Sequence, residues 1–134
     1  MSFSSLGLSP ALLKAVAGQN YTQAYPIQME AIPAILDKKD VLGIAETGSG
    51  KTASYVLPIL MNLQRAASGK SRHIKVLVLV PTRELAVQVN EVFQIFIPAL
   101  SKSIKTMAVF GGASINPQMK AMYGVDVLVA TPGR

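Results

Sequence analysis

The sequence contains no cysteine, no tryptophan and a single histidine, His73. Without thiols, disulfides and thiolate metal sites are excluded, and one imidazole cannot build a histidine cluster. The absence of cysteine is compatible with a reducing compartment, so a cytoplasmic location is expected. Acidic residues are also few. Seven Asp and Glu stand against 13 Lys and Arg, a net charge of +6 that makes polyanionic partners plausible without identifying one. No apolar run approaches the roughly 20 residues of a membrane span. The opening MSFSSLGLSP has no cationic segment before an apolar core, so neither a secretory leader nor a membrane partner is expected. What the chain does have is 134 residues, 50% of them hydrophobic, enough for one domain with a core.

One stretch organises the rest. Residues 45–52, AETGSGKT, follow the apolar run Val41 to Ile44 and precede a helix-compatible run beginning at Lys51. Strand, tight loop and helix in that order are the setting of a phosphate-binding loop. Gly48 and Gly50 let successive backbone N–H groups turn inward, where a phosphate can accept them beside a helix N-terminus. Ala45, Glu46, Thr47 and Ser49 complete the loop, Lys51 adds a formal charge, and the Thr52 hydroxyl suits Mg²⁺, which prefers oxygen ligands. Ala45 stands where the general pattern has its first glycine. A Gly-Ser turn before an ordinary helix is the plainer reading of the same residues.

Taken in order, Ser9 and Pro10 read as a cap and first position of a short helix, ALLKAVA, stopped by Gly18. Asn20 to Tyr25 form a polar loop. Pro26 opens a second helix, in which Pro33 predicts a bend or break. Val41 to Ile44 reads as a strand covered on both faces. Lys51 to about Arg65 is helical, with Pro58 as a kink, and residues 66–72 are a surface connection. IKVLVLV, Ile74 to Val80, is the strongest strand signal and runs into a helix starting at Thr82 with Leu85, Val89 and Phe93 on one stripe, ending before Pro98. Ile104 to Phe110 predicts a third strand, Pro117 to Tyr123 a short helix and Val125 to Ala130 a fourth strand. Strands alternating with helices argue for an α/β fold with a parallel sheet and helices on both faces.

In such sheets ligands gather at the carboxyl ends of the strands. Four loops follow such ends: AETGSGKT, the segment beginning Pro81-Thr82-Arg83, the pair Gly111-Gly112, and Thr131-Pro132-Gly133-Arg134. Hydroxyls, guanidinium groups and glycines on one rim describe a groove for a phosphodiester backbone. Singly, Thr82-Arg83 is an ordinary helix cap with a solvated charge, and Gly-Gly an ordinary turn.

These residues, AETGSGKT, PTRELA (Pro81 to Ala86), Gly111-Gly112 and TPGR (Thr131 to Arg134), resemble in order and spacing the motifs of the DEAD-box ATP-dependent RNA helicase family, and the start of the chain is most similar to the bacterial RhlE-like subgroup. The upstream segment looks like that family's Q motif, with Tyr21 seven residues before Gln28 and Phe3 further upstream. The resemblance implies a RecA-like P-loop NTPase domain truncated at its C-terminal side, with residues 1–29 the Q-motif region and 30–134 an incomplete P-loop core. It implies that Gln28 reads the edge of adenine, Tyr21 stacks on the ring and Phe3 packs behind, while residues 45–52 bind ATP and Mg²⁺ with Lys51 and Thr52 in catalytic roles. Pro81, Thr82, Arg83, Gly111, Gly112, Thr131, Pro132, Gly133 and Arg134 would contact RNA through its backbone, independently of sequence. Three positions depart from the family pattern: Glu46 for the usual Gln, and Asn20 and Tyr25 for Gly and Thr. Gln118 matches a glutamine often found after Gly-Gly and is expected to be a helix-surface amide.

Phosphoryl transfer in P-loop enzymes also needs a carboxylate at the end of another strand to hold the metal. None of the seven acidic residues suits it. Asp40 and Asp126 precede their strands, Glu30, Asp37 and Glu91 fall on helices or a distal turn, Glu46 lies in the loop and Glu84 inside a helix. By the resemblance, the DEAD and SAT motifs and the second RecA-like domain would lie beyond Arg134. The chain alone is therefore expected to hydrolyse no ATP, to unwind nothing and to be marginally stable, with only Thr52 of the metal ligands present. Two alternatives stay open: another P-loop ATPase, and a nucleotide- or RNA-binding module without catalysis.

Overall fold

Each helix begins where the local chemistry favours a start. The computed structural model, which describes residues 2–66, 73–112 and 114–133, places α1 at Pro10–Gly18, its first turn capped by the Ser9 hydroxyl accepting from the Leu12 N–H at 3.3 Å. Helix α2, Pro26–Leu36, also opens on proline, and α3, Lys51–Arg65, opens on Gly50. Helix α4 spans Arg83–Phe96 and is capped by Thr82, whose Oγ1 accepts from the Leu85 N–H at 3.2 Å; α5 spans Ile115–Ala121. Three strands, β1 (Val76–Leu79), β2 (Thr106–Val109) and β3 (Val127–Ala130), complete the regular structure.

The described residues fall into two compact units. The first runs to Ala66 and includes Phe96–Lys102. In it α2 packs against α3, and the buried Leu12, Val16, Ile32, Val56, Leu57, Leu60 and Phe96 form its core. Pro33 lies within α2 and Pro58 within α3, so of the bend or break predicted at Pro33 the break does not occur. Apolar burial along the packed faces outweighs the lost backbone bond. The carboxyl end of α3 is satisfied by a cation, as the Lys102 ammonium donates to the Leu63 and Ala66 carbonyls at 3.3 and 2.9 Å.

The second unit holds the sheet, parallel throughout, in the order β1-β3-β2. Its register aligns Leu79, Ala130 and Val109 across the three strands. The central strand β3 is buried along its whole length, as its apolar run VLVA requires, whereas β1 alternates between half-buried and exposed residues. Val109, Val125, Leu128 and Ala130 cluster with Ile74, Met107 and Met122. At the amino edge Asp126 bridges both neighbours: its carboxylate pairs with Lys75 at 2.8 Å and accepts the Lys105 backbone N–H at 3.0 Å.

Three expectations are corrected. Val41 to Ile44 is not a strand: no ladder pairs it among the described residues, and Leu42 and Ile44 are 88% and 87% exposed. A continuous apolar run makes a strand only where another strand supplies its backbone partners. The remaining strands are shorter than predicted, and α5 begins at Ile115 rather than at Pro117. Most of the connection expected at 66–72 lies outside the described residues.

Candidate nucleotide loop and strand-end rim

In the first unit the loop before α3 is shaped by its glycines. Gly48 and Gly50 take φ of +81° and +79°, the left-handed region that L side chains rarely enter. At Gly50 space is decisive as well, since a Cβ there would stand 2.4 Å from Gln28 Nε2 and 2.9 Å from a Tyr25 ring carbon. Behind Gly50, α3 starts with no side-chain cap and no acidic residue in its first turn, unlike α1 and α4, which hydroxyls cap. First-turn N–H groups have no intrahelical acceptor, so here they and the positive end of the helix dipole are left for an anion.

The loop is closed upon itself. Lys51 Nζ donates to the Ala45 carbonyl at 2.5 Å, and the Ser49 backbone N–H donates to the Glu46 carbonyl at 3.2 Å. Glu46, Thr47 and Lys51 are exposed; Thr52 is half-buried. The Thr52 side chain hydrogen-bonds Tyr55, one helical turn on, and burial pushes the Tyr55 phenol above its ordinary range despite that bond. The bond orients the threonine hydroxyl. Tyr55 was not singled out from the sequence; its signal is the i, i+3 spacing from Thr52.

Gln28 is 2% exposed and both ends of its amide are engaged. Its Oε1 accepts the Tyr25 N–H at 2.9 Å, and its Nε2 donates to the Gly50 carbonyl at 3.1 Å, which also accepts the Ser54 N–H. One amide thereby ties the start of α2 to the glycine that opens α3. Beside it, residues 19–26 and Gln28 line an open recess of about 620 Å³. Tyr21 stands on its wall. The buried Phe3 ring lies nearly parallel to Tyr21 at 6.3 Å, with Phe96 tilted against Tyr21 at 6.4 Å. Asn20, where the family pattern has glycine, takes φ +62°, a conformation that Asn tolerates better than most residues.

In the second unit the aligned strand ends bring three loops to one edge. Past Leu79, Val80 N–H donates to Ala130 O at 3.0 Å; past Ala130, Thr131 N–H donates to Val109 O at 3.2 Å. Thr131 Oγ1 accepts the Gly111 N–H at 3.4 Å, linking two of the loops. The Thr82 and Thr131 hydroxyls both accept from backbone N–H groups, which leaves each O–H proton free to donate outward. Arg83 lies over the Phe110 ring, its guanidinium carbon 5.1 Å from the centroid. Pro81, Arg83, Gly111, Gly112, Pro132 and Gly133 are exposed on this rim, and Arg134 lies outside the described residues. Gln118 is not the expected surface amide: it is half-buried, with its Oε1 accepting the Phe110 N–H at 3.0 Å and its Nε2 donating to the Phe110 carbonyl at 3.3 Å.

Among the described residues no three His, Cys, Asp or Glu side chains group as metal ligands, and no helix is long and apolar enough to cross a membrane. Asp126, committed to Lys75 and Lys105 at the amino edge of the sheet, cannot serve the carboxyl rim.

Residues 25–134 match the DEAD/DEAH box helicase family. The chain belongs to this family. It is 42% identical over 135 residues to the ATP-dependent RNA helicase CshA of Limosilactobacillus reuteri, with 100% of the chain and 26% of the relative covered. It is 44% identical over 135 residues to the ATP-dependent RNA helicase DeaD of Buchnera aphidicola, again over 100% of the chain but 22% of the relative. The chain thus spans about a quarter of the length of these DEAD-box relatives. Among solved structures, a DEAD box protein from Methanococcus jannaschii superposes with a TM-score of 0.86 at 35% identity, covering 100% of this chain and 35% of that one. The RNA helicase Prp28 of Chaetomium thermophilum bound to ADP gives 0.84 at 36% identity, covering 99% and 32%. The α/β, RecA-like reading of the fold is therefore established, and the relatives' names do not specify the RhlE-like subgroup.

Proposed function

We propose that the chain supplies the ATP-binding loop and part of the RNA-binding rim of a cytoplasmic ATP-dependent RNA helicase. The observation that carries this reading is the start of α3: a glycine in the left-handed region, no side-chain cap, and Lys51 and Thr52 in the first turn. That arrangement is built for a phosphate chain. Triphosphate oxygens would take over the Lys51 ammonium from the Ala45 carbonyl, and the first-turn N–H groups would donate to the same oxygens. The adenine ring fits the recess beside Tyr21, where Gln28 has one N–H and one lone pair beyond its two existing bonds. Tyr21 presents a ring whose far side is backed by Phe3.

The loop fits Mg²⁺ in part. Thr52 has the right hydroxyl, oriented by Tyr55, and would hold Mg²⁺ together with nucleotide oxygens and water; no cluster of three His, Cys, Asp or Glu side chains among the described residues supplements it. Bound there, the ion would neutralise charge on the phosphates.

On the rim, Thr82 and Thr131 O–H groups, the Arg83 guanidinium and the Gly111-Gly112 backbone are donors spaced along one sheet edge, suited to successive phosphates of a single strand. Donors of this kind read no bases, so RNA binding is sequence-independent and salt-sensitive. Titration with fluorescent ATP and with labelled oligouridylate tests both halves. Lys51→Ala is expected to weaken ATP binding at least about tenfold, as loss of a charge-assisted bond implies, and leave RNA binding intact. Arg83→Ala should lower the slope of log K against log salt by about one. ATP binding without any RNA binding would instead favour a different P-loop enzyme.

A further inference from the structure

The strand-end rim contains two side chains that no RNA contact explains. Phe110 is the first residue past β2, immediately before Gly111-Gly112. Gln118, on α5, holds its backbone at two points: its amide accepts the Phe110 N–H at 3.0 Å and donates to the Phe110 carbonyl at 3.3 Å. The same Nε2 donates to the Ser114 carbonyl at 3.1 Å, so the residue opening α5 is held to the same point. A two-point clasp of this kind fixes both the position and the plane of the peptide, as a neighbouring strand would. It also fixes the direction in which the Phe110 ring leaves the backbone.

That ring carries Arg83. The guanidinium carbon stands 5.1 Å from the ring centroid, within the range of a cation–π contact, and a Cβ on Gly112 would lie 3.9 Å from the nearer Arg83 nitrogen. Arg83 is otherwise an exposed, long side chain at the start of a helix. Holding such a chain still costs rotamer entropy, on the order of 2 kcal/mol for a free arginine. The contact meets part of that cost before any ligand arrives.

We propose that Phe110 and Gln118 are positioning residues that preset Arg83 for an RNA phosphate: Gln118 clasps the Phe110 backbone and the Phe110 ring braces the guanidinium. This rests on the reading of the rim as an RNA-backbone surface. The specificity lies in the ring. A leucine of similar apolar character fills the same space without a π face, whereas tyrosine keeps the face.

The test is anisotropy of a fluorescein-labelled ten-nucleotide oligouridylate titrated with the wild-type chain and with Phe110→Leu, Phe110→Tyr, Gln118→Leu, Arg83→Ala and the Arg83→Ala/Phe110→Leu double variant, each checked by a thermal melt. Phe110→Leu is expected to weaken binding about two- to fivefold, the worth of an exposed cation–π contact, Phe110→Tyr to restore it, and Gln118→Leu to fall with Phe110→Leu. In the Arg83→Ala background Phe110→Leu should change nothing further. If Arg83→Ala weakens binding while Phe110→Leu does not, the brace is wrong and the RNA rim stands. An equal effect of Phe110→Leu with and without Arg83 would also overturn the brace, by showing that Phe110 acts through the fold. Unchanged binding in Arg83→Ala would instead overturn the RNA reading of this residue itself.

Discussion

The two units each present hydrogen-bond donors at a loop edge, by different means. In the first, the cradle depends on one buried side chain: Gln28 joins Tyr25 to Gly50, and nothing larger than glycine fits at the join. In the second, the rim depends on strand register, with three loops aligned because Leu79, Ala130 and Val109 are aligned. A cradle built around a single packed contact is set locally and fails locally. A rim built on a ladder is distributed and yields gradually.

The sharpest way to break that contrast is Gly50→Ala. The substitution imposes both a left-handed φ on alanine and a clash with Gln28, costing about 1–3 kcal/mol at the loop, and ATP affinity should fall roughly ten- to a hundredfold by fluorescent-nucleotide titration. RNA affinity of the rim should stay unchanged. Gln28→Leu comes next. It leaves the Tyr25 N–H and part of the Gly50 carbonyl without their partner, a loss of about 1–3 kcal/mol in chemical denaturation, together with weaker ATP binding. The smallest effect is expected on the rim side: Thr82→Ala removes a helix cap worth about 1 kcal/mol and should lower the melting temperature by a few degrees, with RNA affinity declining only slightly. A rim variant more disruptive than Gly50→Ala would reverse the comparison.

Much of this was legible in the sequence, and the failures share a cause. Ser9, Pro10, Pro26, Gly50 and Thr82 are punctuation that acts through neighbouring backbone atoms, so the helix starts at Pro10, Pro26 and Lys51 fall where expected. The common edge of the three later loops was likewise readable, because strand direction suffices. Val41 to Ile44 was misread because a strand needs a partner, and no local pattern supplies one. The roles of Gln118, Tyr55 and Phe110 depend on which side chains meet after folding; Gln118 in particular reads as a surface amide until its bonds to Phe110 are seen. Pro33 misleads in the opposite direction as a helix break, since burial of the helix face overrides a local breaking signal.

The carboxylate of Asp126 lies at the end of the sheet opposite the strand-end loops, yet it acts as a peg for the whole arrangement. It reaches Lys75 ahead of β1 and the backbone of Lys105 ahead of β2, so all three strands are indexed from one residue at their common origin. Because side chains alternate faces with a period of two, a slip of β3 by a single residue would exchange the side chains on its two buried faces and carry Thr131 off its bond to Gly111. The spacing of donors along the rim is thus counted out from the opposite edge, four residues away on each strand, by a side chain that never meets the ligand.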